Sequence, residues 1–112
     1  MKRLTPDQKK KILDSAVKRL TENLDIEKII LFGSFLKETE AIDSDFDLFV
    51  MVNTKKKGIE RYAMVSELLE PRQMPMDIIV KTPAEMKRRE KYFDPFMNNI
   101  RKNGTILYEK KA

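Results

Sequence analysis

Residues 31–50 read LFGSFLKETEAIDSDFDLFV, and the interpretation of the whole chain begins with them. The stretch holds two apolar runs. Gly33 and Ser34 close the first run, and Asp45 and Asp47 open the second. Two carboxylates one residue apart at the start of an apolar strand repel each other and resist burial. We therefore expect a compensating group, and a divalent cation is one that carboxylate oxygens bind well.

Composition narrows the chemistry that the chain can perform. Cysteine and histidine are both absent, which excludes disulfides, thiol nucleophiles, histidine bases and nearly all zinc sites. Catalysis must then rest on carboxylates, hydroxyls, Lys, Arg, backbone amides or an oxygen-liganded metal such as magnesium, calcium or manganese. The net charge of +5 suits a polyanionic ligand such as a nucleotide or RNA, although a well-solvated surface is the simpler explanation for a chain with 37% charged residues.

Length and hydropathy predict the class of protein. The 112 residues predict a single domain over residues 1–112. No apolar run is long enough to span a bilayer, and the N-terminus, MKRLTPDQKKK, lacks the apolar core of a signal peptide. We therefore expect a cytoplasmic protein that does not bind membranes.

Periodicity and caps predict an alternation of helices and strands. Capping boxes at Thr5–Gln8 and Thr82–Glu85 mark two helix starts, and continuous apolar runs rich in β-formers mark strands. The predicted helices cover residues 6–24, 59–70, a stretch from 83, and 94–102, with a helical turn at 35–39; the predicted strands cover 28–32, 46–52, 76–80 and 105–108, the last at a sheet edge. This order indicates an α/β (α+β) domain with helices packed on a small mixed β-sheet.

The acidic residues are expected to meet on one face of that sheet. Because alternate residues of a strand share a face, Asp45 and Asp47 point one way, about 7 Å apart, and Leu48 points toward the core. Asp77 lies one residue into the next strand and can join them if the two strands are neighbours. Three carboxylates at one edge predict a phosphoryl-transfer site with two metal ions about 3.5–4 Å apart.

Gly33 and Ser34 are candidates for holding phosphate. A glycine after a strand lets the backbone approach a phosphate, and Ser34 offers both its N–H and its hydroxyl. If a helix starts at Phe35, these amides lie at its positive end. Each feature alone is more often a turn or a strand end, but together they form one ordered arrangement.

That arrangement resembles a known signature. Gly33-Ser34, ten intervening residues, then Asp45-Phe46-Asp47-Leu48 is similar to the signature of polymerase-β-like nucleotidyltransferases, and the compact minimal nucleotidyltransferases (MNT proteins) are the nearest look-alikes. The resemblance spans nearly the whole chain, including residues 96–108, and it implies the nucleotidyltransferase fold.

The resemblance also implies roles for individual residues. Gly33 and Ser34 would bind the phosphates of the nucleotide, whereas Asp45, Asp47 and Asp77 would be the catalytic, magnesium-binding carboxylates. Family members often carry Arg at two positions just after the Ser, followed by Gly. The corresponding residues here are Phe35, Lys37 and Glu38, so Lys37 keeps one positive charge for nucleotide binding.

By the same resemblance, we expect a transferase that uses ATP and two Mg²⁺ ions to move AMP onto a hydroxyl acceptor. MNT proteins are commonly paired with a HEPN-type RNase toxin, which implies an antitoxin that modifies a toxin partner. Two alternatives stay open: a small-molecule, aminoglycoside-type nucleotidyltransferase acting as an oligomer, and a non-catalytic antitoxin that neutralises by contact. Nucleic-acid binding is a weaker third possibility.

Overall fold

The computed structural model describes residues 5–33, 46–72, 76–90 and 104–111. Within these ranges, in chain order, lie α1 (Pro6–Asn23), β1 (Ile26–Gly33), β2 (Phe46–Val52), α2 (Gly58–Leu68), β3 (Met76–Lys81), α3 (Pro83–Glu90) and β4 (Thr105–Glu109). The predicted order of helices and strands is confirmed for these elements. The helical turn predicted at 35–39 and the helix predicted at 94–102 lie outside the described residues.

Local side-chain hydrogen bonds explain where the helices begin. At α1, the Gln8 amide donates to the Thr5 hydroxyl at 3.1 Å and the Thr5 amide donates to Gln8 Oε1 at 2.8 Å, so the predicted capping box is present. Such a reciprocal pair satisfies two backbone donors that a helix start leaves free. α2 begins differently, at Gly58, whose φ of 56° lies in the left-handed region that favours glycine.

The four strands form one mixed sheet in the order β3-β2-β1-β4. β1 runs antiparallel to both β2 and β4, whereas β2 and β3 are parallel and are connected through α2. Parallel neighbours need such a crossover connection because the chain must return to the same end of the sheet. β4 is an edge strand, as predicted, and β3 lies at the opposite edge.

Among the described residues, the two faces of the sheet carry apolar clusters of different size. Alternation along β2 sends Leu48 and Val50 into the main core, where both are fully buried, together with residues from α1 and α2. The other face carries a smaller cluster in which α3 contributes Met86 to cover Ile30 and Phe49. Of the helices in the described ranges, none combines the length and apolar character that crossing a bilayer requires.

Candidate functional site

Two of the three predicted carboxylates are brought side by side by the sheet. Asp47 in β2 and Asp77 in β3 are register partners in the parallel pair. Neighbouring strands lie about 4.8 Å apart and partners in register project to the same face, so the two side chains share a face of the sheet. Asp47 is half-buried and Asp77 is exposed. The condition under which Asp77 can join the acidic cluster, that its strand lies beside the strand of Asp47, is therefore met.

The acidic pair lies on the face that α3 covers, opposite the main core. Phe49, two residues after Asp47 on the same face, is 1% exposed and belongs to the smaller apolar cluster. The carboxylates therefore lie between an apolar surface and solvent. The local dielectric constant there is lower than that of water, which strengthens the attraction between the carboxylates and any cation bound to them.

The C-terminal end of β1 lies at the same end of the sheet as the acidic pair. Phe32 is the register partner of Asp47, and Gly33 is the partner of Phe46. Phe46 in turn pairs with Met76 on its other side. The backbone of Gly33 therefore lies one pairing step from the row that holds both carboxylates. By the strand spacing of about 4.8 Å and the rise of about 3.3 Å per residue, the backbone of Gly33 lies about 6 Å from that of Asp47 and about 10 Å from that of Asp77.

The remaining predicted site residues are not part of the described ranges. Asp45, Ser34 and Lys37 lie between residues 34 and 45, so their placement stays a prediction. Across residues 5–33, 46–72, 76–90 and 104–111, no three acidic, histidine or cysteine residues converge on a point that could hold a metal. The described part of the chain thus contains two of the three predicted carboxylate ligands, Asp47 and Asp77, and the third, Asp45, lies outside it.

Arg72 fixes the start of β3, and the sequence analysis did not single it out. Its guanidinium donates to the Met76 carbonyl at 3.0 Å and to the Ser66 hydroxyl at 2.6 Å, and it forms a 3.2 Å ion pair with Glu70. Met76 immediately precedes Asp77, so this anchor holds the backbone that carries the carboxylate. The partners are Ser66 in α2, Glu70 after α2 and Met76 at the start of β3. No motif in the sequence predicts these contacts.

Arg61 and Glu85 form a second anchor that sequence reasoning missed. Two guanidinium nitrogens of Arg61 in α2 lie 3.0 and 3.2 Å from the two carboxylate oxygens of Glu85 in α3. A fork of two parallel contacts fixes orientation as well as distance. The pair ties α3 to α2 and so helps to keep Met86 over the face that carries the acidic pair.

The family of the chain follows from its sequence. The family model described as Polymerase beta, Nucleotidyltransferase matches residues 14–112. The chain therefore belongs to the polymerase beta nucleotidyltransferase family, as its resemblance implied, and the mixed sheet and three helices of its described residues fit that fold. A comparison with curated proteins gave no match.

Solved structures share the fold. One is a complex described as a toxin-antitoxin with AMP-PNP, matched with a TM-score of 0.59 at 19% identity, covering 88% of this chain and 73% of that one. A mutant of the MntA-HpeT toxin-antitoxin gives 0.58 at the same identity and coverage. A candidate nucleotidyltransferase from Sulfolobus solfataricus gives 0.55 at 19% identity, covering 94% of this chain and 80% of that one.

Proposed function

We propose that this chain transfers AMP from ATP to a hydroxyl group of a partner protein and acts as the antitoxin of a HEPN/MNT-type pair. The observation that carries the proposal is the in-register placement of Asp47 and Asp77 on one sheet face, next to the end of β1 at Gly33. Family membership supports nucleotidyl transfer. The shared fold of toxin-antitoxin structures, one of them described with AMP-PNP, supports the choice of nucleotide and partner.

The donor set fits divalent magnesium. Asp47 and Asp77 supply hard carboxylate oxygens from adjacent backbone positions, with Asp45 as the proposed third ligand, and such oxygens are the ligands that Mg²⁺ prefers. When bound, two Mg²⁺ ions would neutralise charge on the triphosphate and lower the pKa of the attacking hydroxyl.

The residues of the chain would divide the remaining work. The acceptor oxygen forms a bond to the α-phosphorus, the bond from that phosphorus to the bridging oxygen breaks, and pyrophosphate leaves. Asp77 is the exposed member of the pair, so it can meet an incoming hydroxyl and accept its proton. Gly33 and Ser34 would hold the phosphates, with Lys37 adding a positive charge, so the chain contributes mainly positioning and electrostatics.

Label transfer tests the proposal. The chain is incubated with ATP labelled at the α-phosphate, magnesium and the product of the neighbouring gene. We expect the label on the partner protein, and we expect Asp47→Asn and Asp77→Asn to lower the rate at least about 100-fold. Asp14→Asn, an exposed carboxylate of α1, is the matched control and should leave the rate unchanged.

The other outcomes separate the alternatives. Absence of transfer with every nucleotide and acceptor tried would contradict the enzyme. Neutralisation of the toxin that survives Asp47→Asn combined with Asp77→Asn would identify an antitoxin that works by contact. Label on an aminoglycoside but not on the protein would identify the small-molecule enzyme.

A further inference from the structure

A groove on the helical side of the molecule has no role in the proposed reaction. It lies between the C-terminal end of α1 and the outer side of α2, has a volume of about 500 Å³, and takes apolar walls from Leu24, Met64 and Leu68. α1 and α2 cover the sheet face opposite the acidic pair. A molecule bound in this groove would therefore leave Asp47 and Asp77 accessible.

An exposed apolar side chain continues the groove along α2. Ile59 in the first turn is 85% exposed. Ala63, one turn after Ile59, is itself part of the groove wall. Residues four apart lie on the same side of a helix, so the Ile59 side chain lies at the rim of the groove. Single exposed apolar residues are common, but one that adjoins a groove with apolar walls is typical of an interaction surface.

The charged residues of the groove have opposite signs at its two ends. Lys56 lies just before α2, and Glu67 lies near its end, with Glu60 between them. All three side chains are exposed. Within the described ranges none of them takes part in an ion pair, so each has charge available for an occupant of the groove.

We propose that the occupant is a second copy of this chain, whose α2 packs antiparallel along the groove to form a twofold dimer. With the axis between Arg61 and Tyr62, Lys56 of each copy lies level with Glu67 of the other, and Ile59 of each copy lies level with Met64. A twofold contact repeats every pairing, so both ends gain an ion pair. Glu60 follows Lys56 by four residues in the same chain. Each lysine would therefore lie between two carboxylates, Glu60 of its own chain and Glu67 of the other copy.

Charge complementarity distinguishes this occupant from an unrelated helix. A foreign partner must carry a basic and an acidic group at matching spacing, whereas the antiparallel copy carries both by symmetry. α2 is an 11-residue helix, so the contact area is small and the dimer is expected to be reversible and dependent on concentration.

Charge reversal with rescue tests the arrangement by sedimentation equilibrium. We expect Lys56→Glu and Glu67→Lys each to weaken dimerisation about tenfold, because each change turns two attractive pairs into repulsive ones. The double variant restores the attraction and should return the dimer. Lys10→Glu and Asp14→Lys, exposed charges of α1 outside the groove, are matched controls that should dimerise like the parent chain.

Disulfide trapping gives an independent readout because the chain contains no cysteine. Mixing Lys56→Cys with Glu67→Cys should give a cross-linked dimer under mild oxidation. Either variant alone should not cross-link, because equivalent positions, 11 residues apart in level, lie about 16 Å apart along the helix axis of an antiparallel pair. A chain that stays monomeric up to about 1 mM, cross-linking of equivalent positions, or failure of the double charge reversal to restore the dimer would overturn the proposal.

Discussion

Asp47 and Asp77 show how a single residue pair links stability to chemistry. The two carboxylates are register partners on neighbouring strands. Like charges in such positions destabilise a sheet by about 0.2–1 kcal/mol. The magnesium ions of the proposed function would offset this repulsion, because they bring positive charge to the pair.

We expect Asp77→Asn to stabilise the metal-free chain by about 0.5 kcal/mol, because it removes one of the two like charges. Millimolar magnesium should stabilise the parent chain through binding to the folded state and should have little effect on the variant. Urea denaturation with excess chelator and with magnesium measures both effects, with Asp14→Asn as the control. Equal responses of parent and variant to magnesium would count against metal binding at Asp77.

At the scale of elements, Glu85 helps to hold α3 in position. Burial alone would raise the pKa of Glu85, but hydrogen bonds from the Thr82 backbone and from Arg61 outweigh it and hold that pKa below the ordinary value of 4.5. Glu85 also closes the capping box of α3, since the Thr82 amide donates to Glu85 Oε1 at 2.9 Å. A carboxyl with a lowered pKa stabilises the fold above its ordinary pKa, and the contribution is lost as pH falls through the lowered value.

We therefore expect Glu85→Gln to lower the free energy of unfolding by about 1 kcal/mol at pH 7, because glutamine keeps the capping bonds but loses the charge that faces Arg61. The loss should shrink at an acidic pH below the lowered pKa of Glu85, because the carboxyl of the parent chain is then protonated. Chemical denaturation at the two pH values measures it, with the exposed Glu22→Gln as control. An equal loss at both pH values would assign the effect to packing instead.

At the scale of the whole molecule, the described residues form an apolar cluster on each face of the sheet. The main cluster draws on both α1 and α2, and the cluster on the other face includes the buried residues Ile30, Phe49 and Met86. Among the described residues, Phe49, at 1% exposed, is the largest fully buried side chain. Phe49 is therefore a main contributor to the apolar cluster on the face that carries the acidic pair.

We expect Phe49→Ala to cost about 3–5 kcal/mol through lost burial and a residual cavity, a large share of the total stability of a domain of this size. Phe49→Leu should cost about 1–2 kcal/mol and keeps the test informative if the alanine variant does not fold. Ile106→Ala, at a side chain that is 55% exposed, should change stability by less than about 0.5 kcal/mol. Urea denaturation compares the three, and a small effect of both Phe49 variants would contradict the second core.

The sequence alone predicted most elements because their signals are local. Caps and periodicity predicted helix 6–24, observed as Pro6–Asn23, and strand 46–52 was observed with the same bounds. β1 is longer than the predicted 28–32, since Ile26 enters the ladder by pairing with Val52. Pairing with a distant strand extends an element beyond what its own residues indicate.

The residue types of the candidate site could also be predicted from the sequence. Neighbouring carboxylates beside an apolar strand need a group that offsets their negative charge, whatever their position in the folded chain. Tertiary structure decided their arrangement. The parallel register of β2 and β3 put Asp77 beside Asp47, and packing brought Arg61 to Glu85 across 24 residues of chain. The same packing put Lys56 and Glu67 along a groove with α1. These contacts join segments far apart in sequence, so chain folding and not local preference determines them.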